Sequence, residues 1–184
     1  MMTVVTVTML LGGCKNKEEK LLEQGAVAAQ PEKNAPPTLT GAKAVKWEKV
    51  ERVPFAKLQS ILPEGLAGMK RTNLGGSTVP DGDATYTEGV AEFEGQNESG
   101  LTLTIQDHPV RATESLSSKT TVWKGYPVVS ESENSDSSEL GFVVGDRFMV
   151  VVQGRKLKVA QVKAALEKVD FQKLASWKLE GLPK

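Results

Sequence analysis

Cysteine and histidine are almost missing from this chain: its 184 residues include one of each, Cys14 and His108. One cysteine cannot close an intrachain disulfide, and there is no thiolate cluster to hold zinc or an iron–sulfur centre. A lone imidazole lacks the second histidine of a metal pair. An excess of one charge is also missing, since 23 Lys and Arg balance 23 Asp and Glu. No global field therefore steers the chain toward nucleic acid, and no nucleic-acid partner is expected. Phosphate-cradling glycine loops and the Gly-x-Ser-x-Gly elbow are missing too, so no cofactor is expected and neither nucleotide binding nor serine-hydrolase chemistry is indicated. The chain does not read as an enzyme. What remains, 39% hydrophobic and 25% charged residues, suits one globular domain plus some unstructured length.

The strongest local signal is N-terminal. Thr3 to Leu11 is an uncharged, mostly apolar run, far shorter than the roughly 20 residues a helix needs to cross a bilayer. It reads as the apolar region of a signal peptide and ends in Leu11, Gly12, Gly13 and Cys14. That ending resembles the lipobox of bacterial lipoproteins, in which small residues before the cysteine admit the signal peptidase. The resemblance implies a signal peptide over residues 1–13 and a mature chain starting at a lipidated Cys14. The thiol would carry a diacylglyceryl group and the new amine often a third chain such as palmitate. Each buried CH₂ contributes about 0.8 kcal/mol, so several chains make a firm membrane anchor. The implied location is the periplasmic or extracellular face of the cell envelope. Lys15 rather than Asp after the cysteine resembles lipoproteins sent on to an outer membrane. Without the resemblance, the same run is an apolar strand or helix ending in a buried free cysteine.

Residues 14–52 then read as the lipidated cysteine and a flexible tether. The stretch is rich in Lys, Glu, Gln, Ala and Pro, and Pro31, Pro36 and Pro37 interrupt regular structure. A coil of this length spans roughly 35 Å.

Residues 53–184 read as a single α+β domain. Pro54 opens a helix with Phe55, Leu58, Ile61 and Leu62 on one side, closed by Pro63. Met69 to Leu74 is a first strand, followed by a turn-forming run with Gly75, Gly76, Pro80 and Gly82. Ala84 to Glu94 is a second strand whose apolar parity changes midway, which predicts a bulge at Gly89. Leu101, Leu103 and Ile105 alternate with Thr102, Thr104 and Gln106, the pattern of a half-buried strand. Pro127 to Glu133 and Leu140 to Val144 follow as strands, and Gly145 with Asp146 predicts a two-residue hairpin into Arg147 to Val152. That last strand is apolar at both parities, so it should be central or covered on both faces, and it needs cover. Val159, Val162, Leu166 and Val169 supply it as the stripe of an amphipathic helix, and Asp170 caps a short turn that buries Phe171 and Leu174. The expected fold is an antiparallel sheet of five or six strands with an N-terminal helix and a C-terminal amphipathic helix packed on it. The opening Leu62, Pro63, Glu64, Gly65, Leu66 and Gly68, with the meander and late helix, resembles uncharacterised bacterial envelope proteins, a likeness that implies no particular activity.

Few residues invite a chemical role. His108, between Asp107 and Pro109, reads as a strand exit. Asp81, Gly82 and Asp83 share the opening of a calcium loop without its remaining ligands, and a turn explains them better. Glu131, Glu133, Asp136 and Glu139 could gather a cation only if their loop folded back on itself; no metal site is expected. Trp47, Trp123 and Trp177 fall outside the strands and serve either as contact residues or as closures at the edges of a small core. The functional expectation is a noncatalytic envelope lipoprotein whose domain contacts an envelope protein, with a small-ligand or cation-binding periplasmic module as the alternative.

Overall fold

The computed structural model describes residues 50–82, 84–116 and 121–182. Cys14, the expected signal peptide, the expected tether up to residue 49 and Trp47 lie outside the described residues. Among those described, no helix is long and apolar enough to cross a membrane.

A single antiparallel sheet organises the domain. It contains β1 (Gly65–Leu66), β2 (Met69–Asp81), β3 (Ala84–Glu94), β4 (Gly100–Asp107), β5 (Thr121–Trp123), β6 (Tyr126–Glu133), β7 (Ser137–Val144) and β8 (Phe148–Arg155). Their spatial order is β1-β2-β3-β4-β8-β7-β6-β5. Two four-stranded meanders thus meet edge to edge, with Leu103 of β4 opposite Val152 of β8, and the sheet curls into a half-barrel. The α+β class and the antiparallel sheet agree with the sequence, but eight strands replace the five or six expected. The difference comes from β1 and β5, which are only two and three residues long, too short to show a period of alternation.

Among the described residues four α-helices accompany the sheet: α1 (Phe55–Gln59), α2 (Pro109–Leu116), α3 (Val159–Ala165) and α4 (Phe171–Ser176). Alternation decides where they sit. Leu101, Leu103 and Ile105 are buried on one face of β4, beside Ala91 and Phe93 of β3 and Val150 and Val152 of β8. This row packs against Leu58, Val162, Leu166, Phe171 and Leu174 in one continuous core, where each fully buried large apolar side chain contributes about 1.5–3 kcal/mol. Val159, Val162, Leu166 and Val169 are all buried as predicted, but not on one helix: α3 ends at Ala165, Leu166 opens a 3-10 turn to Lys168, and Val169 is extended. Asp170 accepts a hydrogen bond from the Lys173 N–H at 2.9 Å, capping α4 as its sequence position suggests.

The apolar double parity of β8 is explained as expected: the strand is central and both its faces are covered. The C-terminal helices cover one face only. On the other, α2 lays Ala112 against Val143 and Met149, with Leu116, Val129 and Val151 around them.

Three local readings also change. Gly75 and Gly76 are interior to β2, not part of a turn, and Gly76 pairs with Gly89 in unbroken register. The glycine pair lets α1 approach: a Cβ at Gly76 would lie 2.9 Å from the Phe55 ring, and one at Gly89 would lie 3.1 Å from Leu58 Cβ. The bulge is in β2, where pairing slips between Arg71 and Asn73, and the parity change in β3 arises because Tyr86 faces away from the core to stack on His108, ring centroids 4.9 Å apart. Finally, Gly145 and Asp146 do take positive φ, 61° and 58°, but pairing resumes at Val144 with Phe148. Arg147 is therefore an extra loop residue rather than the start of β8, and its side chain is completely buried.

Candidate functional site

The sheet has one covered face and one partly open face. Away from α2, the open face carries Glu92, Thr102, Gln153 and Glu139, which are successive cross-strand partners. They line a trough of about 600 Å³ reaching from Thr72 of β2 to Ser132 of β6. Glu139 accepts hydrogen bonds from the Ser130 hydroxyl at 3.0 Å and the Gln153 amide at 3.5 Å. At the trough's end, Arg155 donates from Nε to Glu98 O at 3.0 Å. A lining of carboxylate, hydroxyl and amide groups suits a polar or cationic group held by hydrogen bonds rather than an apolar ligand. Among the described residues no group of three or more His, Cys, Asp or Glu could hold a metal ion.

The other acidic residues singled out in the sequence are drawn apart. Glu131 accepts from Lys163 Nζ on α3 at 2.8 Å. Glu133 accepts from the Val159 N–H at 2.7 Å and pairs with Lys158 at 3.2 Å. It is a cap for α3 contributed from another strand, satisfying one of the orphan N–H groups of a helix start. That backbone hydrogen bond, then Lys158, holds its carboxyl below the usual carboxylate range. Asp136 accepts from the Ser135 hydroxyl at 2.9 Å. No shared cation position results.

His108 is more than a strand exit. It immediately precedes α2, its O accepts from the Ala112 N–H at 2.9 Å, and its Nδ1 accepts from the Arg111 N–H at 3.2 Å. A ring nitrogen that accepts carries no proton, so Nε2 bears the hydrogen and donates it to Asp81 Oδ2, 2.7 Å away. His108 caps a helix and, through Asp81, ties that helix to the β2–β3 turn. Gly82 has a positive φ of 58° there, as a turn requires.

Two of the three tryptophans close the core. Trp123 packs edge-on against Phe142 and Phe171, centroids 5.1 and 6.4 Å apart. Trp177 is buried, with Lys57 Nζ 4.5 Å from its ring centroid.

The strongest polar constellation is one the sequence reading missed. Arg147 and Asp107 are both wholly buried and form a bidentate pair, Nε to Oδ1 at 2.7 Å and Nη2 to Oδ2 at 2.6 Å. Arg147 also donates to Glu51 O at 2.9 Å, Lys178 O at 3.3 Å and Glu180 O. Asp107 Oδ2 accepts a further hydrogen bond from the Val53 N–H at 2.6 Å. Burying two charges is costly unless each is paired and its remaining hydrogen-bonding capacity is met, and here both conditions hold. The pair joins β4 and the β7–β8 loop to the irregular lead-in at Glu51 to Val53 and to the final turn. Arg52, alongside, donates to Thr85 O at 2.8 Å; burial lowers its pKa, with Asp107 opposing the shift and Arg147 adding to it. Every atom of this cluster is spent internally, which makes it a clamp and leaves the trough as the candidate site. No protein-family model matches the chain, and comparison with curated proteins and with solved structures finds no similar protein.

Proposed function

We propose that the chain is a lipid-anchored protein of the bacterial cell envelope, held to the membrane through Cys14, whose domain works by noncatalytic protein contact. The observation that carries this reading is the apolar run from Thr3 ending in Leu11, Gly12, Gly13 and Cys14. The tether composition of residues 15–52 supports it, since a domain on such a stalk can reach partners away from the bilayer. Intact mass and detergent partitioning of the protein expressed in a bacterial host, beside Cys14→Ala, test it. A chain starting at an acylated Cys14, with the variant unprocessed, is expected. An unmodified chain retaining Met1 in the cytosol would sink the anchor and the location together.

A second reading, a small-ligand or cation-binding module, is favoured by the trough beside Glu92 and Glu139. A ligand that binds only the native state raises its apparent stability. Thermal melting with calcium, zinc, lipids and cell-wall fragments separates the readings: a shift that Glu139→Gln abolishes supports the module, and unchanged melting with all four removes it.

A further inference from the structure

We infer that β2 is a docking edge for a second copy of this chain, the two β2 strands pairing antiparallel about a twofold axis at Gly76. The inference deepens the protein-contact reading, on which it rests, by naming the partner. β1 pairs with Met69 and Lys70, the Arg71 N–H donates to Glu64 O at 3.0 Å, and beyond Arg71 β2 has no outer strand neighbour among the described residues. Its inner side pairs with β3 along the whole length to Asp81.

Which backbone groups face outward follows from the turn. Asp81 pairs with Ala84 across two residues, and the closing pair of such a hairpin exchanges its hydrogen bonds inward. Alternate residues back along β2, Val79, Ser77, Gly75 and Asn73, do the same. Leu74, Gly76 and Thr78 therefore turn their N–H and C=O groups outward, and Pro80, which would be the next, has no N–H to offer. The opposite limit is the slip in register at Thr72. Gly76 is the midpoint between these two interruptions, so the open segment is self-complementary: Leu74 meets Thr78 of the second copy, and Gly76 meets Gly76. About six main-chain hydrogen bonds would form.

Charge and exposed apolar surface point to the same occupant. Edge strands are blunted by charged residues, proline or bulges; here the slip at Thr72 and Pro80 limit the open segment, and no residue between them is charged, so a twofold brings no like charges together. Phe55 and Leu74 are each 40% exposed. Both lie on the helix-covered face at this edge, since the Phe55 ring abuts Gly76 and Leu74 shares the parity of Gly76. The twofold gathers both residues from both copies into one patch and removes it from water.

The test uses the full chain in mild detergent, with Cys14→Ala as background for cross-linking. Leu74→Cys with Thr78→Cys should give a disulfide-linked dimer on mild oxidation, while Leu74→Cys alone should remain largely monomeric. Light scattering of the parent chain should read twice the monomer mass, and Thr78→Pro should halve it with the sheet signal in circular dichroism unchanged. If Thr78→Pro unfolds, the cross-link decides. A monomeric parent, with no disulfide formed between positions 74 and 78 of two copies in the double variant, would overturn the pairing, as would cross-linking of these positions only to a different protein or to the chain's own N-terminal segment. The mass of Cys14 is read separately, so failure of the lipid anchor cannot be mistaken for failure of the dimer.

Discussion

The two faces of the sheet obey the same alternation and meet different fates. On the covered face, Leu103, Ile105, Leu140, Phe142, Val150 and Val152 are fully buried under three of the helices. On the other, only the end beneath α2 is apolar, and the rest carries Glu92, Thr102, Gln153 and Glu139 around the trough. The difference shows that stability is concentrated on one side of the strands, which leaves the residues of the opposite side free to change without costing the fold. It also shows that the covered side is not uniformly apolar: Asp107 lies in phase with Leu101, Leu103 and Ile105 and completes their row with a charge.

The sharpest way to break that contrast is to unpair this charge. Arg147→Met strands a buried carboxylate and should cost about 3–5 kcal/mol in chemical denaturation. Adding Asp107→Leu to it should recover much of the loss, because removing both charges also removes the burial penalty. Next, Leu103→Ala should cost about 2–5 kcal/mol, whereas its neighbour Thr102→Ala, on the open face, should stay within about 0.5 kcal/mol; equal costs would show that the faces are not distinct. Gly89→Ala pushes a methyl into α1 and should cost about 1–3 kcal/mol, read as a lowered denaturation midpoint. Asp170→Ala removes the α4 cap for about 1 kcal/mol. The smallest effect is pH-dependent. The Glu133 carboxyl is held below its ordinary range, so it stabilises the fold above that range, and the contribution disappears as pH falls through the lowered value. Glu133→Gln should lower the melting temperature by a constant amount at neutral and alkaline pH and converge with the parent in acid, so that the acid side of its profile is flatter.

Legibility in the sequence followed the strength of periodicity. The row Leu101, Leu103, Ile105 specifies face and element together and appears as read; the stripe Val159, Val162, Leu166, Val169 is buried as read, but the α-helix stops at Ala165, a 3-10 turn carries Leu166, and Val169 is extended. In β2, Gly75 and Gly76 carry no side chain to reveal a face, and what keeps them extended is their pairing with β3 and the approach of α1, neither of which is local. The helix α2 is hidden in the sequence because its single capping histidine reads equally as a strand exit, although Pro109 right after it is a standard first helical residue. The trough residues were legible only as the wet side of strands, since their convergence depends on strand order. The Arg147–Asp107 clamp joins positions 40 residues apart, and its one local trace is a charge occurring in register with an apolar row.

The clamp has a topological consequence. Through it, the first and last described turns of backbone are brought together, and the Glu51 N–H donates to Gly181 O at 3.2 Å. The polypeptide of the domain thus traces an almost closed circuit, and the order of its elements along the gene is set by where that circuit happens to be cut. A circularly permuted chain, with these ends joined by a short linker and new ones opened in the exposed Asn134 to Asp136 turn between β6 and β7, retains every strand neighbour of the sheet.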